Sequence, residues 1–162
     1  MLKSNFLRLF LFSACATIAS AATVTKTLQI TATAMSSCSV TTTNIAFGNY
    51  NRSLLNTTGN VAVTCTSGTT YTIGLDGGAN AGASNVTSRY MVQGTNQLPY
   101  FLYSDSARTV NWGNPTGGPT TAAGTGSAQN YPIYGRIPAN QTAPASPNQY
   151  TDIVNVTVTT TP

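Results

Sequence analysis

The sequence predicts an all-β sandwich. Short segments alternate apolar and polar residues with a period of two, and turn-forming Gly, Asn, Asp and Pro separate them. No stretch carries the 3.6-residue period of an amphipathic helix. With 162 residues the chain is long enough for one domain with a real core.

The most regular segment comes first. Across residues 23–35, Val24, Lys26, Leu28, Ile30, Ala32 and Ala34 share one parity, and the other is nearly all Thr or Gln. That pattern predicts a strand with one apolar and one polar face, because successive side chains of a strand point to opposite sides. Two readings stand at this point: an ordinary first strand of its own domain, or a strand that serves another molecule. Past Ser37, Cys38 and Val40 lie on one parity and Ile45 and Phe47 on the other, so a bulge or kink is expected across residues 41–43. Residues 48–58 read as a loop. Val61, Val63 and Cys65 then mark a second strand, and Tyr71, Ile73 and Leu75 a third that stops at Asp76-Gly77-Gly78.

Residues 79–88 form a small-residue loop, and 89–92 a short strand. Residues 97–105 are apolar on both parities, with Leu98, Tyr100 and Leu102 against Phe101 and Tyr103. That suits a strand covered on both faces, or one whose second face receives something. Trp112-Gly113 follows a turn, and 114–129 is a long loop without a burial pattern. Tyr131, Ile133 and Ile137 mark a strand broken at Pro138, and 142–149 is another loop. Tyr150, Asp152, Val154, Val156 and Val158 alternate in a last strand. Strand order and number resemble an immunoglobulin-like domain. Little follows the last strand that would close its sheet, and an open edge beside an apolar groove requires cover.

Charge and composition narrow the function. Charged residues make up 6 % of the chain, with no His and only three acids, Asp76, Asp105 and Asp152. Residues 1–21 read as an export signal: Lys3 and Arg8 give a positive start, residues 9–18 an apolar stretch, and Ala19-Ser20-Ala21 a small-residue cleavage site. Phe12-Ser13-Ala14-Cys15 is only faintly like a lipoprotein signal, since the Leu expected three places before the Cys is missing. Without that leader, Lys26 and four Arg face three Asp, a net of about +2 with no basic run, which excludes nucleic acid as a partner. It also leaves Cys38 and Cys65, which in an exported protein are expected to form one disulfide. Closing that loop contributes roughly 3–4 kcal/mol in the loop-entropy account. Two thiols without His make no metal site, no cofactor is implied, and nothing supplies a general base near neutral pH, so the chain is not read as an enzyme.

Four segments carry a resemblance to a known family. They are Cys38-Ser39-Val40 with Phe47-Gly48-Asn49-Tyr50; Val61 to Cys65; Leu98 to Asp105 with Trp112-Gly113; and Tyr134 to Pro138 with Tyr150-Thr151-Asp152 and its alternating Val. In this order, across nearly all of the mature chain, they resemble the spore coat protein U domain family, which includes subunits of archaic (spore-coat-type) chaperone–usher pili. Two departures appear. The Gly usual before the Tyr-x-Asp strand is absent, with Asn148 available for the same turn, and residues 159–162 lack the apolar or aromatic ending.

The resemblance implies an incomplete immunoglobulin-like β-sandwich completed by a donor strand from a neighbouring subunit. The boundaries become a signal peptide at 1–21, a donor strand at 22–35 and a pilin domain at 36–162. Val24, Leu28, Ile30, Ala32 and Ala34 are then the pocket-filling residues, and Tyr150, Val154, Val156 and Val158 the last strand of the acceptor groove. Implied partners are a periplasmic pilus chaperone, an outer-membrane usher and neighbouring subunits, and the implied location is the cell surface, reached through the periplasm. A shaft subunit with a role in attachment and biofilm formation is expected. The rival readings are a spore or surface coat protein of the same fold, or a tip adhesin binding a surface or sugar. Against the adhesin, Tyr100, Tyr103, Trp112 and Tyr134 sit in strand motifs and are expected to build the core.

Overall fold

The computed structural model describes residues 25–33, 35–82, 84–114, 122–144 and 148–161. The expected leader, Cys15, Val24 and Ala34 lie outside them. The chain divides into two units, Met1–Thr33 and Ala34–Pro162. In the first, residues 25–33 belong to no strand and are exposed, with Leu28 84 % and Ile30 83 % accessible.

The second unit is built from antiparallel strands. They are β1 (Cys38–Thr43), β2 (Leu55–Cys65), β3 (Thr70–Leu75), β4 (Tyr90–Gln93), β5 (Asn96–Pro99), β6 (Phe101–Tyr103), β7 (Ala122–Ala123), β8 (Gln129–Ile137) and β9 (Val156–Thr161), with a single helical turn, α1 (Gly78–Ala81), after β3. One sheet has the order β1-β2-β8-β6, a second β7-β3-β9, and β4 and β5 form a hairpin. The apolar parities foreseen in β2, β3 and β8 face inward, so Val61, Val63, Cys65, Tyr71, Ile73, Leu75, Ile133 and Ile137 are buried between the sheets with Trp112 and Leu102.

Several elements differ from the sequence reading. β2 begins at Leu55, inside the expected loop, because Leu55 to Gly59 pairs with β8. Its first half lacks an apolar stripe since its cover comes from elsewhere in the chain. A Cβ on Gly59 would lie 2.6 Å from Ile45, and one on Gly135 would lie 2.9 Å from Phe47. The parity change after Val40 is therefore no bulge: β1 keeps an unbroken register from Cys38↔Cys65 to Thr43↔Asn60, and the chain then leaves the sheet. Residues 97–105 are two strands. β5 pairs with β4, β6 pairs with β8, and buried Tyr100 stands at the switch. β7 lies within the expected long loop.

The last strand also starts later than expected. Thr151 makes one isolated bridge to Val92, and regular pairing with β3 begins at Val156. Side chains take the place of the ladder before that point. Asp76 accepts hydrogen bonds from the Asn155 N–H (2.9 Å) and its side-chain amide (2.6 Å), and the Ala79 N–H donates to Ile153.

Candidate strand-accepting groove

Two sheets in the orders β1-β2-β8-β6 and β3-β9 reproduce the A-B-E-D and C-F arrangement of an immunoglobulin-like sandwich. The seventh strand, G, belongs beside F, which here is β9. Among the described residues no strand pairs with that edge of β9, nor with the outer edge of β1.

These two edges lie on the same side of the sandwich. The Asp76 N–H donates to Asn155 on the β9 side, so the N–H of its neighbour Leu75 points to the opposite edge of β3. There Gly113 accepts it at 3.1 Å, while the Trp112 N–H donates to Leu102 of β6 at 2.8 Å. Residues 112–113 thus bridge β6 to the β7 side of β3 and close that flank. The indole N–H of Trp112 adds a bond to Ile73 O at 3.1 Å. The other flank, between β1 and β9, has no such bridge among the described residues.

Exposure shows what the open flank lacks. Directly opposed residues of an antiparallel pair point to the same face, so Val40 and Thr42 face inward with their partners Val63 and Val61. Those partners are fully buried, yet Val40 is 41 % accessible and Thr42 exposed. β9 repeats the pattern. Val156, Val158 and Thr160 stand opposite buried Leu75, Ile73 and Tyr71, but the two valines are only half buried and Thr160 is exposed. The result is a groove with an apolar floor and two unpaired main-chain rims, which is what an added strand requires. Tyr150 and Val154, in the segment before β9, also pack half buried against the core.

The disulfide Cys38–Cys65 pins the start of β1 at one end of this groove. At the other end a polar knot, missed in the sequence, holds the approach to β9. Arg89 is fully buried and donates to the carbonyls of Asp76 (2.8 Å), Val86 (2.9 Å), Leu75 (3.0 Å) and Trp112 (2.7 Å). Burial pushes its guanidinium below the ordinary value, and Tyr100, Asp76 and Asp152 pull it back up. The Tyr100 hydroxyl donates to Asp152 at 2.7 Å; burial, then that carboxylate, raises the phenol well above its usual range. Gly78, at φ +87, permits the approach, since a Cβ there would collide with the Asp152 carboxylate. The only hint in the sequence was the pairing of Asp76 with two glycines and Asp152 within a strand.

Of the expected donor residues, Leu28, Ile30 and Ala32 are exposed. Of the four aromatics assigned to the core, Tyr100 and Trp112 are there, while Tyr103 and Tyr134 lie half buried on the outer face.

Three similarities bear on this geometry. A family profile described as the Spore Coat Protein U domain matches residues 24–157. "Protein U" of Myxococcus xanthus is 32 % identical over 158 residues, covering 87 % of each chain. Among solved structures, a chain of the CsuC–CsuE chaperone–tip adhesion subunit pre-assembly complex from archaic chaperone-usher Csu pili of Acinetobacter baumannii superimposes with a TM-score of 0.55 at 21 % identity. The match covers 76 % of the present chain and 40 % of that one, and at this identity it speaks for the fold.

Proposed function

The chain belongs to the spore coat protein U domain family, and from that premise we propose that it is a shaft subunit of a chaperone–usher surface fibre, polymerising by strand exchange. The observation that carries the reading is the open flank: inward-facing Val40, Val156 and Val158 remain accessible although their cross-strand partners are buried. In the proposed assembly, residues 23–34 of a neighbouring subunit lie along β9 as the missing strand. Main-chain hydrogen bonds satisfy the rims, and Val24, Leu28, Ile30, Ala32 and Ala34 enter the groove. Burying Val24, Leu28 and Ile30 is worth on the order of 1.5–3 kcal/mol each before ordering costs. Lys26 stays near the groove mouth with its ammonium in water. A periplasmic chaperone covers the groove until exchange, an outer-membrane usher receives the subunit, and the product is a cell-surface fibre acting in attachment and biofilm formation.

The test compares two substitutions one residue apart. Leu28→Asp brings a carboxylate into an apolar pocket, at a cost of several kcal/mol or a forced protonation. Gln29→Asp places it on the solvated parity. Fibre assembly, followed by electron microscopy and sedimentation, is expected to fail for the first and proceed for the second. Equal assembly by both would return residues 23–34 to an ordinary role. The relative from Myxococcus and the family's description also favour a second reading, a surface coat built by the same exchange. Sheets or shells in place of fibres in those micrographs would select it.

A further inference from the structure

On the outer side of β6 and β8, away from the groove, Phe101 stands opposite Arg136 and Tyr103 opposite Tyr134. Asn56 and Thr58 of β2 continue the two rows, also opposite Arg136 and Tyr134. These side chains point outward because the alternate positions, Leu102, Ile133 and Ile137, fill the core. The second apolar parity of residues 97–105 therefore does face out of the fold. It is also where the two aromatics absent from the core are found.

The arginines are placed with care. Arg136 lies 5.7 Å over the Tyr103 ring and Arg108 lies 5.6 Å over Tyr134. Phe101 and Tyr103 pack at 6.2 Å with ring planes only 30° apart. Arg108 takes φ +59, a left-handed conformation uncommon for a side chain of this size. Its loop is fixed by Asp105, whose carboxylate accepts the N–H groups of Thr109 (2.9 Å) and Val110 (2.8 Å) and the Thr109 hydroxyl (2.9 Å). Arg108 makes long bonds to the carbonyls of Gly135 (3.3 Å), Ser106 (3.2 Å) and Thr57 (3.4 Å), and Arg136 one to Asn56 Oδ1 (3.2 Å). Neither guanidinium meets a carboxylate among the described residues. Phe101 further walls an open cleft of about 420 Å³ that runs past Tyr90 and Gln97 of the β4–β5 hairpin.

We propose that this face binds an acidic polysaccharide of the uronic-acid type. The two guanidiniums, preset by their rings, take sugar carboxylates, which they match as planar donor forks. Phe101 offers an apolar ring to the C–H face of a sugar, and the Asn56 amide and Gln97 take hydroxyls. The charge pattern selects the ligand: two unpaired cations beside aromatic rings call for an anion with apolar faces, whereas nucleic acid calls for a run of cations. The face is centred on the β6 side, where residues 112–113 close the sandwich, so a strand entering between β1 and β9 leaves it uncovered. Under the fibre reading each subunit presents one such site, and a polymer gains avidity for a polymeric ligand.

Retention on immobilised polygalacturonate and on neutral dextran tests this, with the protein as assembled polymer and as a single subunit whose groove is filled by a copy of residues 23–34 joined to its C-terminus. Both forms are expected to bind polygalacturonate and not dextran, the polymer more than roughly tenfold tighter. Arg108→Gln with Arg136→Gln should abolish retention, and Phe101→Ala should weaken it at unchanged charge. Arg52→Gln, which removes an arginine beyond the Leu55–Ile137 end of the sheet, should have little effect. Equal loss with Arg52→Gln and Arg136→Gln, or equal retention on dextran, overturns the proposal. Equal binding by polymer and subunit keeps the site and counts only against the fibre reading.

Discussion

Arg89 is the residue on which most of the polar interior depends. One guanidinium satisfies four carbonyls from Leu75, Asp76, Val86 and Trp112, drawing together the end of β3, the turn after α1 and the strand-closing segment at 112–113. Lysine cannot replace it, because an ammonium carries three donors in a compact head and lacks the planar fork. Arg89→Lys is expected to destabilise the fold by about 2 kcal/mol or more and Arg89→Ala by about 3 kcal/mol or more, since buried acceptors are left without donors. Denaturant midpoints of the assembled protein measure both. A lysine variant as stable as the parent would mean that the four bonds contribute little beyond packing. The same scale explains why Arg89 left so little sign in the sequence. An isolated Arg after a Thr-Ser pair has no pattern, and its partners are main-chain atoms, which every residue possesses.

Among the elements, the two groove rims differ in how they are held. β9 is anchored by Asp76 and Asp152 before pairing begins, whereas β1, among the described residues, pairs with β2 alone and is pinned at its start by the disulfide. Cys38→Ser should therefore loosen β1 selectively. Hydrogen exchange is expected to speed up in residues 38–43 and to change little in β8, with a lower yield of folded subunit. Unchanged protection of β1 would show that pairing with β2 suffices and that the disulfide acts only by constraining the unfolded chain. The stretch proposed as donor shows the complementary property. Its alternation was legible at once, yet residues 25–33 form no strand here, because a strand's main-chain bonds need a neighbour.

For the whole molecule, no described strand fills the position beside β9, and under the proposed strand exchange stability depends on a second strand. A copy of residues 23–34 joined to the C-terminus through a flexible linker should fill the groove and give a stable monomer, with slow unfolding expected from cooperative strand insertion. A chain beginning at Ser36 should not persist as a soluble monomer, since it keeps the open apolar flank without cover. Analytical ultracentrifugation and thermal melts distinguish the two. A cooperatively folded monomer from the shorter chain would remove the basis for strand exchange.

By itself the sequence determined whatever repeats along the chain or follows from composition. Period-two alternation marked the all-β class and the inward faces of β2, β3 and β8. Two cysteines foretold the Cys38–Cys65 disulfide. Only the tertiary structure decided what depends on neighbours distant in sequence. It put Ile45 and Phe47 over Gly59 and Gly135, divided residues 97–105 between two sheets, and turned Tyr103 and Tyr134 outward to meet Arg136 and Arg108. Among the described residues it also left β1 and β9 unpaired on one flank. The physical reason is that alternation tells which residues share a face, while cover over that face comes from long-range packing that no local pattern encodes.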